Sequence, residues 1–497
     1  MNVLKKTFHF AFLILFYLVS IVAITTVASD CYWAGILAFP LMLLVVYLCA
    51  KYHKSGSIKV SKWIWPALQC LSIVLMLYLA FTLEVSYSWD WGQLSRTAYE
   101  CAQGNDISLI EYYARYPNNR FWLAVLTTLF KAVNRFSGGA SLELCKHVSM
   151  VFSVLLTQLT ALVVYKTAQK LWSPGKALFI GCITLAFLPF YLYAQFAYTD
   201  APAMLLIACT IYCYVQYKRS NDCKIAPYIF AAFIGILTAL LYQIKIMGLI
   251  VPIAILIDAA LNIGSWKKAK TALIALVVVA IPLASTIGIT NLINNRMVPI
   301  SEELSETYEF PFTHWVMMGL GKSGGYDQND VDFTKSFDTY DAKSDATIAK
   351  IKDRIADRGI LGTAKHLLIT KTARTWGNDN LAGSDYTNRG TLKTDTLAYE
   401  VLTLGGHKQF IREIYTGIYH IFMIAGILLA AISALRKKKE DPLLFVRIAV
   451  FGVILFMMLW ECNSRYLLIV SPLLLLCGYD GWLNSIQWIK KKRGVIK

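Results

Sequence analysis

Long apolar runs separated by short polar loops dominate the chain, and most of them reach the length of about 18 residues that a helix needs to cross a bilayer. They fall at about 8–28, 33–50, 63–83, 146–166, 177–197, 201–217, 226–244, 246–263, 271–290, 413–434, 443–461 and 466–484. This pattern predicts about twelve transmembrane helices. The run at 120–134 is shorter and carries Lys131, with Arg135 just beyond, so it predicts a juxtamembrane helix lying in the interface. Two polar intervals remain, 84–145 and 291–412. The second alternates turn-rich pieces, GKSGGYDQND at 321–330 and DNLAGSDYTNRG at 379–390, with a helical stretch near 342–373. Ser344-Asp345 supplies a start signal there, and Ile348, Ile351 and Ile355 recur at helical spacing.

Apolar residues make up 57% of the 497 and charged residues 16%, so the length is accounted for by membrane rather than by soluble domains. The expected fold class is an all-α polytopic membrane protein in four parts. Residues 1–62 form a transmembrane hairpin with a basic inner loop, and 63–290 a transmembrane module holding the outer loop 84–145. Residues 291–412 form an extracytoplasmic subdomain, and 413–497 the last helices with a basic tail.

The formal charge of +17 is an orientation signal. Nearly all the basic excess sits in Lys5–Lys6, Lys51–Lys62, Lys166–Lys176, Lys218–Lys224, Lys267–Lys270, Arg436–Lys439 and Lys490–Lys497, whereas the two long intervals are close to neutral. Basic short loops stay on the cytoplasmic side, so both termini are expected inside and both long intervals outside. The spread over every inner loop gives no single basic face, which excludes a nucleic-acid footprint. The first span follows Lys5 and Lys6 and ends in Val-Ala-Ser-Asp; it reads as an uncleaved signal anchor.

Eleven cysteines show no metal-type spacing. Cys101 and Cys145 share the first outer loop, where a pair is an option, and Cys209 and Cys213 read as small packing residues. Asp258 and Arg447, toward the inner side, read as structural pairs or headgroup contacts, Asp480 as a residue reaching water, and the basic run 436–439 as contact with anionic lipid.

Candidate chemistry lies at the outer helix ends. Asp90 stands in Ser-Trp-Asp-Trp-Gly, Asp200 in Ala-Tyr-Thr-Asp-Ala-Pro, Lys245 in Gln-Ile-Lys-Ile-Met-Gly and Arg465 in Asn-Ser-Arg-Tyr. Charges at membrane depth are costly and face a cavity or one another; snorkelling at a helix end is the bland reading of each alone. Two acids and two bases on one face suit an alcohol nucleophile and a phosphate leaving group, with a carboxylate taking the hydroxyl proton and the cations neutralising phosphate. Trp89, Trp91 and Tyr116 are sugar-stacking or interfacial anchoring residues. A divalent cation between Asp90 and Asp200 is a further option that leaves metal dependence open.

The order of these motifs over roughly 64–290 resembles the GT-C glycosyltransferases, which use polyprenyl-phosphate sugars, in the branch of the protein O-mannosyltransferases and the lipid A aminoarabinose transferase. The resemblance implies Asp90 as general base, Asp200 as an acceptor-positioning or assisting acid, and Lys245 at the lipid phosphate. Tyr116-Pro117 matches the family's stretch before the interfacial helix, although Asn118-Asn119 replace its second proline or lysine; Arg115, Tyr116 and Asn118 join Trp89 and Trp91 as candidate sugar-binding residues. His314, Arg296 and Arg374 are the candidates for a family arginine in the second outer loop, and Arg465 joins the donor-phosphate set. Segments 310–334 and 464–473 resemble Gram-positive members.

The implied activity is inverting transfer of a sugar from a polyprenyl-phosphate donor to a hydroxyl of a surface glycopolymer, glycolipid or protein, with membrane lipids as further partners. A transporter or flippase of lipid-linked saccharides is the alternative. Transporters favour midplane charges and internal repeats, neither of which this sequence displays.

Overall fold

The computed structural model describes residues 3–52, 62–220, 225–263, 265–436 and 441–492. Lys54, Lys59, Asp222, Lys224, Lys437–Glu440 and Arg493–Lys497, which entered the charge map, lie outside the described residues.

Helices account for nearly all regular structure. The first six are α1 (Val3–Asp30), α2 (Tyr32–Tyr52), α3 (Ile64–Thr82), α4 (Trp89–Ala102), α5 (Ile110–Arg115) and α6 (Arg120–Ser137). Then follow α7 (Leu142–Leu171), α8 (Pro174–Leu185), α9 (Pro189–Leu192), α10 (Asp200–Arg219), α11 (Ala226–Ile244), α12 (Ile250–Leu261) and α13 (Trp266–Met297). The long interval folds as α14 (Glu302–Tyr308), α15 (Phe312–Gly319), α16 (Gln328–Lys335), α17 (Tyr340–Lys365), α18 (Lys371–Trp376), α19 (Gly383–Thr387) and α20 (Leu397–Leu402). The chain closes with α21 (Gln409–Arg436), α22 (Leu444–Leu459), α23 (Tyr466–Ile469) and α24 (Ser471–Lys492).

Six of these helices, α1, α3, α7, α11, α13 and α21, are long and apolar enough to cross a membrane on their own. Three expected spans are interrupted, 466–484 by the non-helical Val470 between α23 and α24. The run 177–197 stops as helix at Leu185 and re-forms only for Pro189–Leu192, because proline lacks the amide hydrogen and clashes with the preceding turn. The run 246–263 begins with a 3-10 turn, Ile246–Leu249, before α12. The expected juxtamembrane helix is α6, closed by Gly138 at φ 69°, a conformation that glycine adopts without Cβ strain. The helix expected at 342–373 starts earlier: Thr339, not Ser344-Asp345, accepts the capping bond, from the Ala342 amide, and Gly359 at φ 64° breaks it.

The bundle packs α10 against α7 and α11, α11 against α13, and α21 against α1 and α24. Without a hydrophobic drive between helices in lipid, close approach depends on small residues. A Cβ at Gly481 would collide with the Gly426 carbonyl oxygen, and one at Gly235 with that of Val279. Phe12, Phe16, Val19 and Ala23 of α1 are buried in the main core, so the first span is built into the bundle.

At the end away from Asp90, buried charges pair as a structural reading expects. Asp258 accepts from Tyr214 at 2.7 Å and Lys218 at 2.9 Å, tying α12 to α10. Arg447 is fully buried and donates to Asp480 at 3.0 Å, with Asp441 also against it. Asp480 is 5% exposed, which corrects the expectation that it reaches water: its partner lies on α22, inside the bundle. Cys101 and Cys145 are free and buried.

Substituting Gly481 by leucine should lower stability by about 1–3 kcal/mol or more through overpacking, read as a fall in the melting temperature of the purified protein. An unshifted melting temperature would contradict the close α21–α24 contact.

Candidate functional site

Asp90 occupies the first turn of α4, where the helix dipole favours a carboxylate. The approach to it is pinned. Val85 bridges Thr391, the Ser86 amide donates to the Gly390 carbonyl at 2.9 Å, and Lys146 meets Glu84 at 2.7 Å. The Tyr112 hydroxyl donates to Asp90 Oδ1 at 2.9 Å and itself accepts from Asn119 Nδ2 at 2.8 Å. Burial, then the Asp90 charge, push the Tyr112 phenol far above its ordinary range, so it keeps its proton. Tyr198 donates to Asp90 Oδ2 at 3.4 Å.

Tyr198 belongs to the irregular stretch between α9 and α10, and its ring is the link to the other charges. Asp200, the first residue of α10 and 4% exposed, stands between two cations: Lys245 Nζ lies 3.4 Å from Oδ1 and Arg465 Nε 3.7 Å from Oδ2. Lys245 follows the last turn of α11, where a cation is favoured, and leaves helical geometry at φ −157°. Its ammonium sits 5.1 Å from the Tyr198 ring centroid and 5.7 Å from that of Tyr466, and donates to Thr199 Oγ1 at 3.2 Å. The Arg465 guanidinium is boxed by Trp89 and Tyr386 at 4.8 Å each and by Tyr198 at 5.4 Å.

Arg465 Nε and Nη1 and Asp200 Oδ1 are buried without a hydrogen-bond partner. A group of one carboxylate and two cations therefore holds net positive charge and unpaired donors. The two cations beside Asp200 would repel a divalent ion shared with Asp90, and among the described residues no cluster of three or more His, Cys, Asp or Glu stands ready to hold a metal.

The remaining sequence candidates separate. Trp91 is 1% exposed, packed against Tyr87, Trp89 and Phe196, and is core rather than a sugar platform. Trp89 is strained at φ 41°, and its ring is enclosed by Phe196, Tyr198, Tyr386 and Arg465. The Tyr116 ring lies 5.0 Å from that of Tyr112, tilted at 57°, and reaches Phe310 and Trp315 of the long interval; Asn118 bonds Asn119; Arg115 faces the rings of Tyr308 and Phe310.

His314 does not join the phosphate-binding set. It is fully buried between Phe310 and Trp315 and bonds Thr334 at 2.6 Å. Because Thr334 donates to the Asp330 carbonyl, the ring must donate from Nδ1. Burial pushes its pKa down to about 4, so the ring is neutral and offers phosphate no charge. Of the other arginines considered, Arg296 is exposed at the end of α13, while Arg374 bonds the Cys462 carbonyl three residues before Arg465.

Tyr112, Tyr198, Tyr386 and Tyr466 complete the site, although the sequence does not single them out. Tyr198 precedes Asp200 by two residues and Tyr466 directly follows Arg465, so adjacency to a candidate charge is a usable signal for both. Tyr112 stands in the aromatic stretch that leads to Tyr116-Pro117. Tyr386 lies in the turn-rich piece 379–390, where nothing in the sequence marks it as a site residue.

Acidification tests the His314 assignment. The unfolded ring takes a proton near 6.5 and the folded one only near 4, so this contribution to stability is complete above pH 6.5 and is lost as pH falls toward 4. His314→Phe should remove up to roughly 3 kcal/mol of that acid sensitivity, read from melting temperature against pH. An unchanged slope would contradict a buried neutral ring.

A family profile described as a conserved hypothetical integral membrane protein matches residues 3–485. No curated protein matches the chain in sequence. Among solved structures, ArnT from Cupriavidus metallidurans bound to undecaprenyl phosphate is 11% identical, with 86% of this chain and 79% of that one covered at a TM-score of 0.35. The archaeal oligosaccharyltransferase AglB from Archaeoglobus fulgidus, in complex with an inhibitory peptide and a dolichol-phosphate, is 14% identical at a TM-score of 0.44. That match covers 87% of this chain and 52% of AglB, so the chain spans about half the length of the archaeal protein. By the match over 3–485, the chain belongs to the family of conserved hypothetical integral membrane proteins.

Proposed function

We propose that the chain is a GT-C-type membrane glycosyltransferase that moves a sugar from a polyprenyl-phosphate donor to an acceptor hydroxyl on the extracytoplasmic face. The observation that carries this reading is the pairing of Asp90, held by neutral hydroxyls, with a buried Lys245–Asp200–Arg465 group that keeps unpaired donors. Such a group suits the phosphate of a lipid donor, because fixed cations in a dry site neutralise charge as it develops.

In this reading Asp90 takes the proton of the acceptor hydroxyl while that oxygen attacks the anomeric carbon. The bond from that carbon to the phosphate oxygen breaks, its electron pair leaves with the polyprenyl phosphate, and the anomeric configuration inverts. Lys245 and Arg465 receive the phosphate charge, and Asp200 holds the two cations together. Tyr112 and Tyr198 aim the Asp90 carboxylate. The inner placement of the basic loops supports cytoplasmic termini and an outer site.

Asp90→Asn should lower transfer from a radiolabelled polyprenyl-phosphate sugar by about 10²- to 10⁴-fold while donor binding persists. Undiminished transfer would remove Asp90 as the base. Movement of the labelled lipid across vesicles with no transferred product would favour the flippase reading.

A further inference from the structure

The segment between α22 and α23 has no regular structure, yet four of its backbone groups bond to the long interval. Lys371 Nζ donates to the Trp460 carbonyl at 2.7 Å, and the Glu461 amide donates to the Trp315 carbonyl at 3.0 Å. The Cys462 amide donates to the Gly324 carbonyl at 2.9 Å, and its own carbonyl accepts from Arg374 Nε at 3.2 Å.

The same segment fixes the charged site. Asn463 Oδ1 accepts from the Arg465 amide at 2.9 Å, and Glu461, 3% exposed, accepts from the Tyr466 hydroxyl at 2.6 Å. Tyr466 is one of the rings facing Lys245.

The glycine-rich piece at 319–325 explains how the two basic side chains reach this segment. A Cβ at Gly319 would lie 2.8 Å from Lys371 Nζ, and one at Gly324 2.7 Å from Lys371 Cγ. A Cβ at Gly325 would collide with the Arg374 guanidinium. A Cβ at any of these positions would displace one of the two side chains, and at Gly319 it would also meet the Leu459 carbonyl oxygen at 2.8 Å.

We propose that residues 460–463 are a strap by which the long interval sets the position of Arg465, with Lys371 and Arg374 as positioning residues admitted by the glycines. This rests on the transferase reading for its functional consequence and on geometry alone for the strap itself.

The test uses the full chain in nanodiscs with two readouts, hydrogen exchange of the 460–466 backbone and donor kinetics. Lys371→Met should speed exchange there and lower kcat/KM for the donor by about 10- to 100-fold, since small displacements of a binding group are that costly. Lys371→Arg should recover much of the loss. Gly325→Val, which displaces Arg374 without removing a charge, should act in the same direction as Lys371→Met. Unchanged exchange in folded variants overturns the strap. Faster exchange in a protein whose wild type transfers no sugar upholds the strap and overturns the transferase reading.

Discussion

Asp200 between Lys245 and Arg465 is the interaction on which the rest of the site depends. Two cations could not be held close together in a buried setting without a carboxylate between them, since like charges repel strongly where water is scarce. Each of the three comes from a different part of the chain: the start of α10, the end of α11 and the approach to α23. Helix dipoles favour the first two placements, and aromatic rings favour the third. The bundle therefore converges on a point where three chain segments end, not on the middle of any helix.

Much of this is legible in the sequence. Helix ends are marked by where apolar runs stop, so spacing and loop charge alone assign Asp90, Asp200, Lys245 and Arg465 to one face. What is not legible depends on three-dimensional packing. His314 looks like a charged ligand in sequence, but Phe310, Trp315 and Thr334 make it neutral and internal. Trp91 looks like a platform beside Asp90, yet one residue's rotation along α4 turns it into the core. The break after Leu185 is visible as Pro189, but the apolar run around that proline outweighs it in any hydropathy pattern.

The two ends of the bundle use charge differently. Away from Asp90, the Lys218–Asp258 and Arg447–Asp480 pairs join helices that are otherwise regular. At the site, the three non-glycine residues with positive φ among the described residues are Trp89, Leu381 and Ala382. Trp89 stacks on Arg465, Leu381 accepts from Tyr193, and Ala382 starts the turn that carries Tyr386 to the same guanidinium. Each such residue costs about 1–3 kcal/mol and persists only where its surroundings over-determine it. A purely structural ion pair has no need of such strain. Trp89 and the turn after Ala382 thus bring two of the three strained positions, from distant segments, to one guanidinium.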